Sequence, residues 1–218
     1  MSANDRSMRS EIKVTVRPAT WRDLLHDLNK IVLNNTEIVA RLPANLVELG
    51  WLGRPKARAN VVAAAERRLG KPLPPSYREF LAESNGWQCL DWTHLALLPA
   101  GQVGWLRDLD PSLVKIWNDL DTSSWGPAPS DSQYAAAYRE CHGIERFRPE
   151  HLQDMLVLSD RGWTNADYVW LNPHAIFPNG EWEAWTFVPG EGSGSHYRSF
   201  WDLMVSNLRS QIHDRCFP

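Results

Sequence analysis

The chain has little of what staples small secreted folds or anchors membrane proteins. Its 218 residues include three cysteines, Cys89, Cys141 and Cys216. An odd number at unrelated spacings is not a disulfide framework, which excludes a stapled extracellular scaffold. Long apolar runs are also missing: the uncharged stretch 95–106 is too short to span a bilayer and is broken by Pro99, Gly101 and Gly104. The first thirteen residues mix acids and bases without the apolar centre of a secretory signal, so the expected location is the cytoplasm. No internal repeat is present, and no stretch of disordered composition divides the chain. The expected organisation is a polar N-terminal extension over 1–18 and one domain over 19–218, with an insertion near 107–153.

What is present is ordinary globular material with one excess. Hydrophobic residues make up 43% and charged residues 22%, a balance that excludes disordered, collagen-like and coiled-coil classes. The excess is twelve tryptophans. Residues this large either fill a core or anchor a partner. Net charge is -3, but it is unevenly placed: residues 1–78 carry 14 Lys and Arg against 7 Asp and Glu, and residues 79–218 carry 9 against 19. A basic front and an acidic body argue against a uniform nucleic-acid-binding surface, and the acidic body suits a basic partner.

The elements follow from periodicity. Thr20 and Asp23 form a capping box for a helix whose Trp21, Leu24, Leu25, Leu28, Ile31 and Val32 share one face, and Asn34-Asn35 end it. A shorter helix runs through Ile38 and Val39 and stops at Pro43, after which Leu46 and Leu49 lead into a loop at Gly50-Trp51-Leu52-Gly53. The spacing predicts a helix over 57–69 stopped by Gly70, then another launched by Pro75 and closed by Asn85-Gly86. Beyond Trp87, apolar runs at 95–98, 103–106, 155–158, 168–171 and 182–188 read as strands, with Asn179-Gly180 as a two-residue hairpin turn. Within the insertion, 134–140 reads as a helix. Ser199 and Asp202 cap a last helix through Ile212. Helices first, strands next and a helix last make an α+β domain.

Catalytic and metal-binding constellations find no support in the spacing. Cys141-His142 with His151 lacks a zinc-site pattern. The glycines of Gly190-Glu191-Gly192-Ser193-Gly194-Ser195-His196 match neither a dinucleotide fingerprint nor a phosphate loop, and Ser193 is not in a nucleophile elbow; the stretch reads as a hairpin or loop before the last helix. Glu181 and Glu183 alternate with Trp182 and read as the solvated face of a strand. Asn34-Asn35-Thr36 fits the glycosylation pattern by chance. The expectation is therefore a non-enzymatic protein without a cofactor or bound metal. The segment that does suggest a partner is Trp105, Asp108, Asp110, Trp117, Asp119, Asp121 and Trp125, a loop-rich stretch of aromatic anchors with acidic neighbours suited to a basic surface.

One block carries a family signature. Glu66-Arg67-Arg68-Leu69-Gly70-Lys71-Pro72-Leu73-Pro74-Pro75-Ser76-Tyr77, continuing to Asn85-Gly86-Trp87, resembles the SUKH superfamily, domains similar to the yeast cell-wall assembly regulator and widespread in bacteria. Trp51-Leu52-Gly53-Arg54-Pro55, Leu171-Asn172-Pro173, Glu181-Trp182-Glu183-Ala184-Trp185 and Tyr197-Arg198-Ser199-Phe200-Trp201 extend the likeness over about 20–208. The resemblance implies N-terminal helices packed on a mostly antiparallel sheet with a closing C-terminal helix. It also implies a role as an immunity protein that binds and neutralises a bacterial toxin. Alternatives are a regulatory scaffold of the same fold without a toxin, or a glycan- or small-molecule-binding protein. The family offers no catalytic residues; its signature residues are expected to fill the core (Leu69, Tyr77, Phe80, Leu81), to cap helices (Gly70, Gly86) and to set a turn (Pro74-Pro75).

Overall fold

A computed structural model describes residues 18–91, 93, 95–119, 130, 149–160, 168–188 and 193–213. The first helix, α1 (Trp21–Leu33), begins where Thr20 accepts the Asp23 amide at 3.2 Å and donates its hydroxyl to Asp23 Oδ2 at 2.8 Å. That satisfies an amide the helix leaves orphaned. Then come α2 (Thr36–Val39), capped by Asn35, and α3 (Ala44–Leu49). Pro43, expected only to stop a helix, is the residue from which α3 starts; a ring that cannot donate fits a helix entrance as well as an exit. Next are α4 (Ala59–Leu69), closed by Gly70 at φ 71°, and α5 (Pro75–Glu83). Short α6 (Leu106–Leu109) and α7 (Pro111–Asp119) follow, then a 3₁₀ helix, Pro149–Asp154; the last helix, α8 (Phe200–His213), closes the described chain.

Five strands form one antiparallel sheet in sequence order: β1 (Gly104–Trp105), β2 (Leu156–Val157), β3 (Tyr168–Ile176), β4 (Trp182–Val188) and β5 (Ser193–Tyr197). The class is α+β, as expected. Side chains alternate across the sheet, and both of its faces are covered. Leu156, Leu171 and Ala184 face a core shared with α1, α5 and α8, where Trp21 stacks on Phe200 at 5.7 Å and Tyr77 meets Phe200 edge-on at 5.1 Å. Val157, Trp170 and Trp185 form a cross-strand row on the opposite face, flanked by Tyr168 and Phe187 and roofed by Leu106, Leu113, Val114, Trp117 and Leu152. The roof comes from the insertion between β1 and β2.

Several expected strands are shorter or differently built. Leu97 makes only isolated bridges, to Trp87 and Ser159, and 103–106 and 155–158 contribute two paired residues each. The 177–181 turn is not a two-residue hairpin. Gly180 donates its amide to Phe177 O and Phe177 to Glu181 O, so Pro178 and Asn179 form the corners and Gly180, at φ 83°, is a bulge residue. Residues 193–197, read as loop or hairpin, are strand β5. The helix expected over 134–140 and all but Pro18 of the extension over 1–18 lie outside the described residues.

The 66–87 block is structural throughout. Glu66 Oε1 accepts the Leu73 amide at 2.9 Å, Tyr77, Phe80 and Leu81 are fully buried, and Asn85 Oδ1 accepts the Ala100 amide. Gly86 is not the helix cap: α5 ends on extended Ser84, and Gly86 lies two residues on, at φ 99°, where the chain turns to bridge Leu97.

Burial raises the Cys89 thiol from its ordinary 9.0 to about 12, with the neighbouring Asp91 charge adding to it, and raises the Tyr77 hydroxyl as well. In the folded state both stay protonated at pH values where the unfolded chain ionises them. Unfolding then releases protons, and stability falls as pH rises above about 9 for Cys89 and above about 10 for Tyr77, on the order of 1 kcal/mol per pH unit for each group. Below pH 9 the two groups leave stability flat. Urea titrations across this range check the slope, and mass-spectrometric thiol labelling at neutral pH is expected to modify Cys89 only after denaturation.

Candidate functional site

Over its described residues, 105–119, the Trp-Asp segment is mostly helical rather than loop-rich, and its parts divide. Trp105 and Trp117 are buried, at 8% and 4% exposure, so neither projects as an anchor. Trp117 packs 5.6 Å from Phe187 inside the second core, and Trp105 receives the Arg107 guanidinium over its ring. Asp110 is part of the framework: its carboxylate accepts the Leu113 amide at 3.0 Å, capping α7, and the Tyr168 hydroxyl at 2.8 Å, tying that helix to β3. Asp108 and Asp119 are exposed. Asp121 and Trp125 lie outside the described residues. The apolar groups that do reach the surface here are Leu109 and Ile116, at 49% and 58% exposure.

Glu181 and Glu183, expected on a solvated face, are both buried, at 8% and 0% exposure. Glu181 reaches α5, whose N-terminal residue Pro74 supplies no side-chain cap. Its two oxygens accept the Ser76 amide at 2.8 Å and the Ser76 hydroxyl at 2.7 Å, so a carboxylate from the 177–181 turn caps a helix distant in sequence, where the helix dipole favours it. Glu183 points the other way, into the second core. It accepts from Asn172 Nδ2 at 2.8 Å and from His196 Nδ1 at 2.9 Å. Asn172 is its cross-strand partner in the register, and His196 comes from the neighbouring strand.

The polar chain continues outward from there. Asn172 Nδ2 also approaches His151 Nδ1 at 3.2 Å, which places the proton of a neutral His151 on its other nitrogen. The His151 ring stacks on His174 at 4.6 Å, and His174 Nε2 lies 2.9 Å from Asp154 Oδ2, whose other oxygen pairs with Arg107. The network thus runs from the sheet interior through the 3₁₀ helix to the start of α6. Because Glu183 is wholly buried, no substrate atom reaches its carboxylate in this conformation. Among the described residues Asn172 and His196 satisfy the buried Glu183 carboxyl group, and the chain of contacts ties the segment between β1 and β2 to the sheet.

Sequence reasoning missed this cluster, although a signal was available. The β3 and β4 segments are apolar almost continuously, as strands buried on both faces are, and an acid inside such a run has to be paired. Among the described residues no three His, Cys, Asp or Glu side chains converge as a metal site; Cys141 and His142 are outside them. The chain matches no protein-family model and no curated protein sequence.

Proposed function

We propose that this chain is a non-enzymatic protein-interaction domain of the SUKH type, acting as an immunity protein that neutralises a bacterial toxin through the outer surface of α6 and α7. The observation that carries the reading is the composition of that surface. Leu109 and Ile116 stand exposed on helices that also present Asp108 and Asp119, with Arg107 paired to Asp154 and Lys115 exposed among them, while Trp117 and Asp110 fix the helices from beneath. Apolar contact supplies affinity at such a surface, and charge opposite to the partner's speeds encounter and sets orientation. A toxin that grips phosphate has a basic site of the matching sign. The resemblance of 66–87 to the SUKH signature supports the class and leaves the binding face open, since each signature residue serves the fold.

Co-expression with the product of the adjacent gene, scored as rescue of growth, tests the role. Rescue by the natural chain is expected. The double variant D108K/D119K, which alters exposed side chains only, is expected to weaken binding by about tenfold or more and to abolish rescue. Full rescue by that variant would overturn the placement of the interface, and a neighbour without toxicity would favour the scaffold reading. The glycan-binding alternative is less well supported: Trp21, Trp87, Trp105, Trp117, Trp170, Trp182 and Trp185 are buried, and among the described tryptophans only Trp51 and Trp201 are partly exposed.

A further inference from the structure

On the side of the fold formed by α1 and the 50–58 loop lies a groove of about 540 Å³ whose floor and rim include Leu49, Trp51 and Pro55. Leu49 is 65% exposed, more than either Leu109 or Ile116. The polar rim is cationic: Arg22, Arg54 and Lys56 line the groove, and an adjoining depression that shares Arg54 and Lys56 adds Arg58. Glu83 is the one acid among the residues lining the two. It is already engaged, 2.9 Å from Lys56 Nζ and 3.9 Å from Arg22 Nε. Arg54 and Arg58 are exposed and have no ion-pair partner among the described residues.

The groove is framed by hydrogen bonds of its own loop and helix ends. Asn29 donates to Gly50 O at 3.0 Å and accepts the Leu52 amide at 2.9 Å, Ser84 Oγ accepts the Arg54 amide at 2.9 Å, and the Ala57 amide donates to Leu81 O at 2.9 Å. A surface that keeps its shape loses little entropy on binding.

We propose that this groove is a second docking site, for an acidic segment of a partner protein that places one large apolar side chain on Leu49, Trp51 and Pro55 and its carboxylates on Arg22, Arg54, Lys56 and Arg58. Its charge is opposite to that of the surface assigned to the toxin, so it selects a different chemistry. The chain's own first 17 residues carry four Lys and Arg against two Asp and Glu, the same sign as the rim, which favours an external acidic occupant. Arginine suits carboxylate recognition through its paired donors.

Selection of a random-sequence peptide library on the full chain tests this, followed by affinity measurements on the enriched peptides at two salt concentrations. Enriched peptides are expected to be acidic with one large aliphatic or aromatic residue. Their affinity is expected to fall about tenfold or more in R54E/K56E and on raising salt, to fall several-fold in L49S, and to be unchanged in D108K/D119K. Circular dichroism and urea titration establish that the variants, all at exposed positions, remain folded. Basic or uncharged enriched peptides, no enrichment, or indifference to R54E/K56E would overturn the proposal. So would binding of a single-stranded oligonucleotide or an anionic vesicle with that charge dependence when acidic peptides do not bind, or self-association that R54E/K56E abolishes. Because the toxin surface is tested by a different variant, either site can fail without the other.

Discussion

Glu183→Ala is expected to destabilise the protein by about 3–5 kcal/mol, the range for removing one partner of a buried, hydrogen-bonded charge. The carboxylate is wholly inaccessible and accepts from two side chains on neighbouring strands, Asn172 at 2.8 Å and His196 at 2.9 Å. Truncation leaves an amide proton and an imidazole proton without that acceptor in a dry interior and opens a cavity beside Trp185, whose ring lies 4.8 Å from His196. Glu183→Gln separates charge from shape. It keeps one acceptor but sets a donor against either Asn172 Nδ2 or His196 Nδ1, so a smaller loss of about 1–3 kcal/mol is expected. Because Asn172 links Glu183 to His151, hydrogen exchange in the 3₁₀ helix and α6 is expected to accelerate more in E183A than exchange in α1 and α5. Urea denaturation measures the loss; a value below about 1 kcal/mol for E183A would show that the carboxylate is not held as described.

The second large effect is expected at Gly86. A methyl group there would lie 2.7 Å from Leu97 O and 3.0 Å from Pro99 N, with φ at 99°. These are backbone atoms, and the mutual Trp87–Leu97 hydrogen bonds of 3.0 and 2.7 Å hold them. Neither the strain nor the overlap can relax by rotating a side chain. Gly86→Ala is therefore expected to cost about 2–4 kcal/mol, combining the left-handed penalty with displacement of a buried bridge. Gly50→Ala is the matched control: φ is 66° but no atom lies within 4 Å of the added methyl, so only the conformational part, about 1 kcal/mol, is expected. Equal losses at the two positions in urea titration would refute the role given to the Leu97 approach.

Local chemistry made the helices legible. Thr20 and Ser199 cap α1 and α8 through the expected Asp23 and Asp202, and Gly70 closes α4 in the left-handed conformation. These contacts lie within three or four residues, so their pattern survives whatever the rest of the chain does. The strands were less legible where they are shortest: Leu97 pairs only through single bridges, because its partners come from 87 and 159, far apart in the chain. The partner surface was partly legible. Acidic residues at 108 and 119 do stand exposed, yet the apolar groups beside them are Leu109 and Ile116, since tryptophan at 105 and 117 is drawn into the interior by its larger apolar area.

Sequence alone determined the α+β class, the helices α1, α4, α5 and α8, the caps at Thr20, Gly70 and Ser199 and the sign of charge in each half, because these depend on composition and short-range periodicity; α6, α7 and β5 were not legible in it. Tertiary structure decided what Glu181, Glu183 and His196 are for. Alternation predicts that the two acids share a face, but Glu181 lies in the turn before β4 and reaches α5, while Glu183 faces the side of the sheet that α6, α7 and the 3₁₀ helix roof from positions far away in the chain. Once it is covered, an ionised carboxylate there requires donors, and the sheet register brings Asn172 and His196 to it. The same dependence on distant elements assembles the cationic groove from α1, the 50–58 loop and the end of α5.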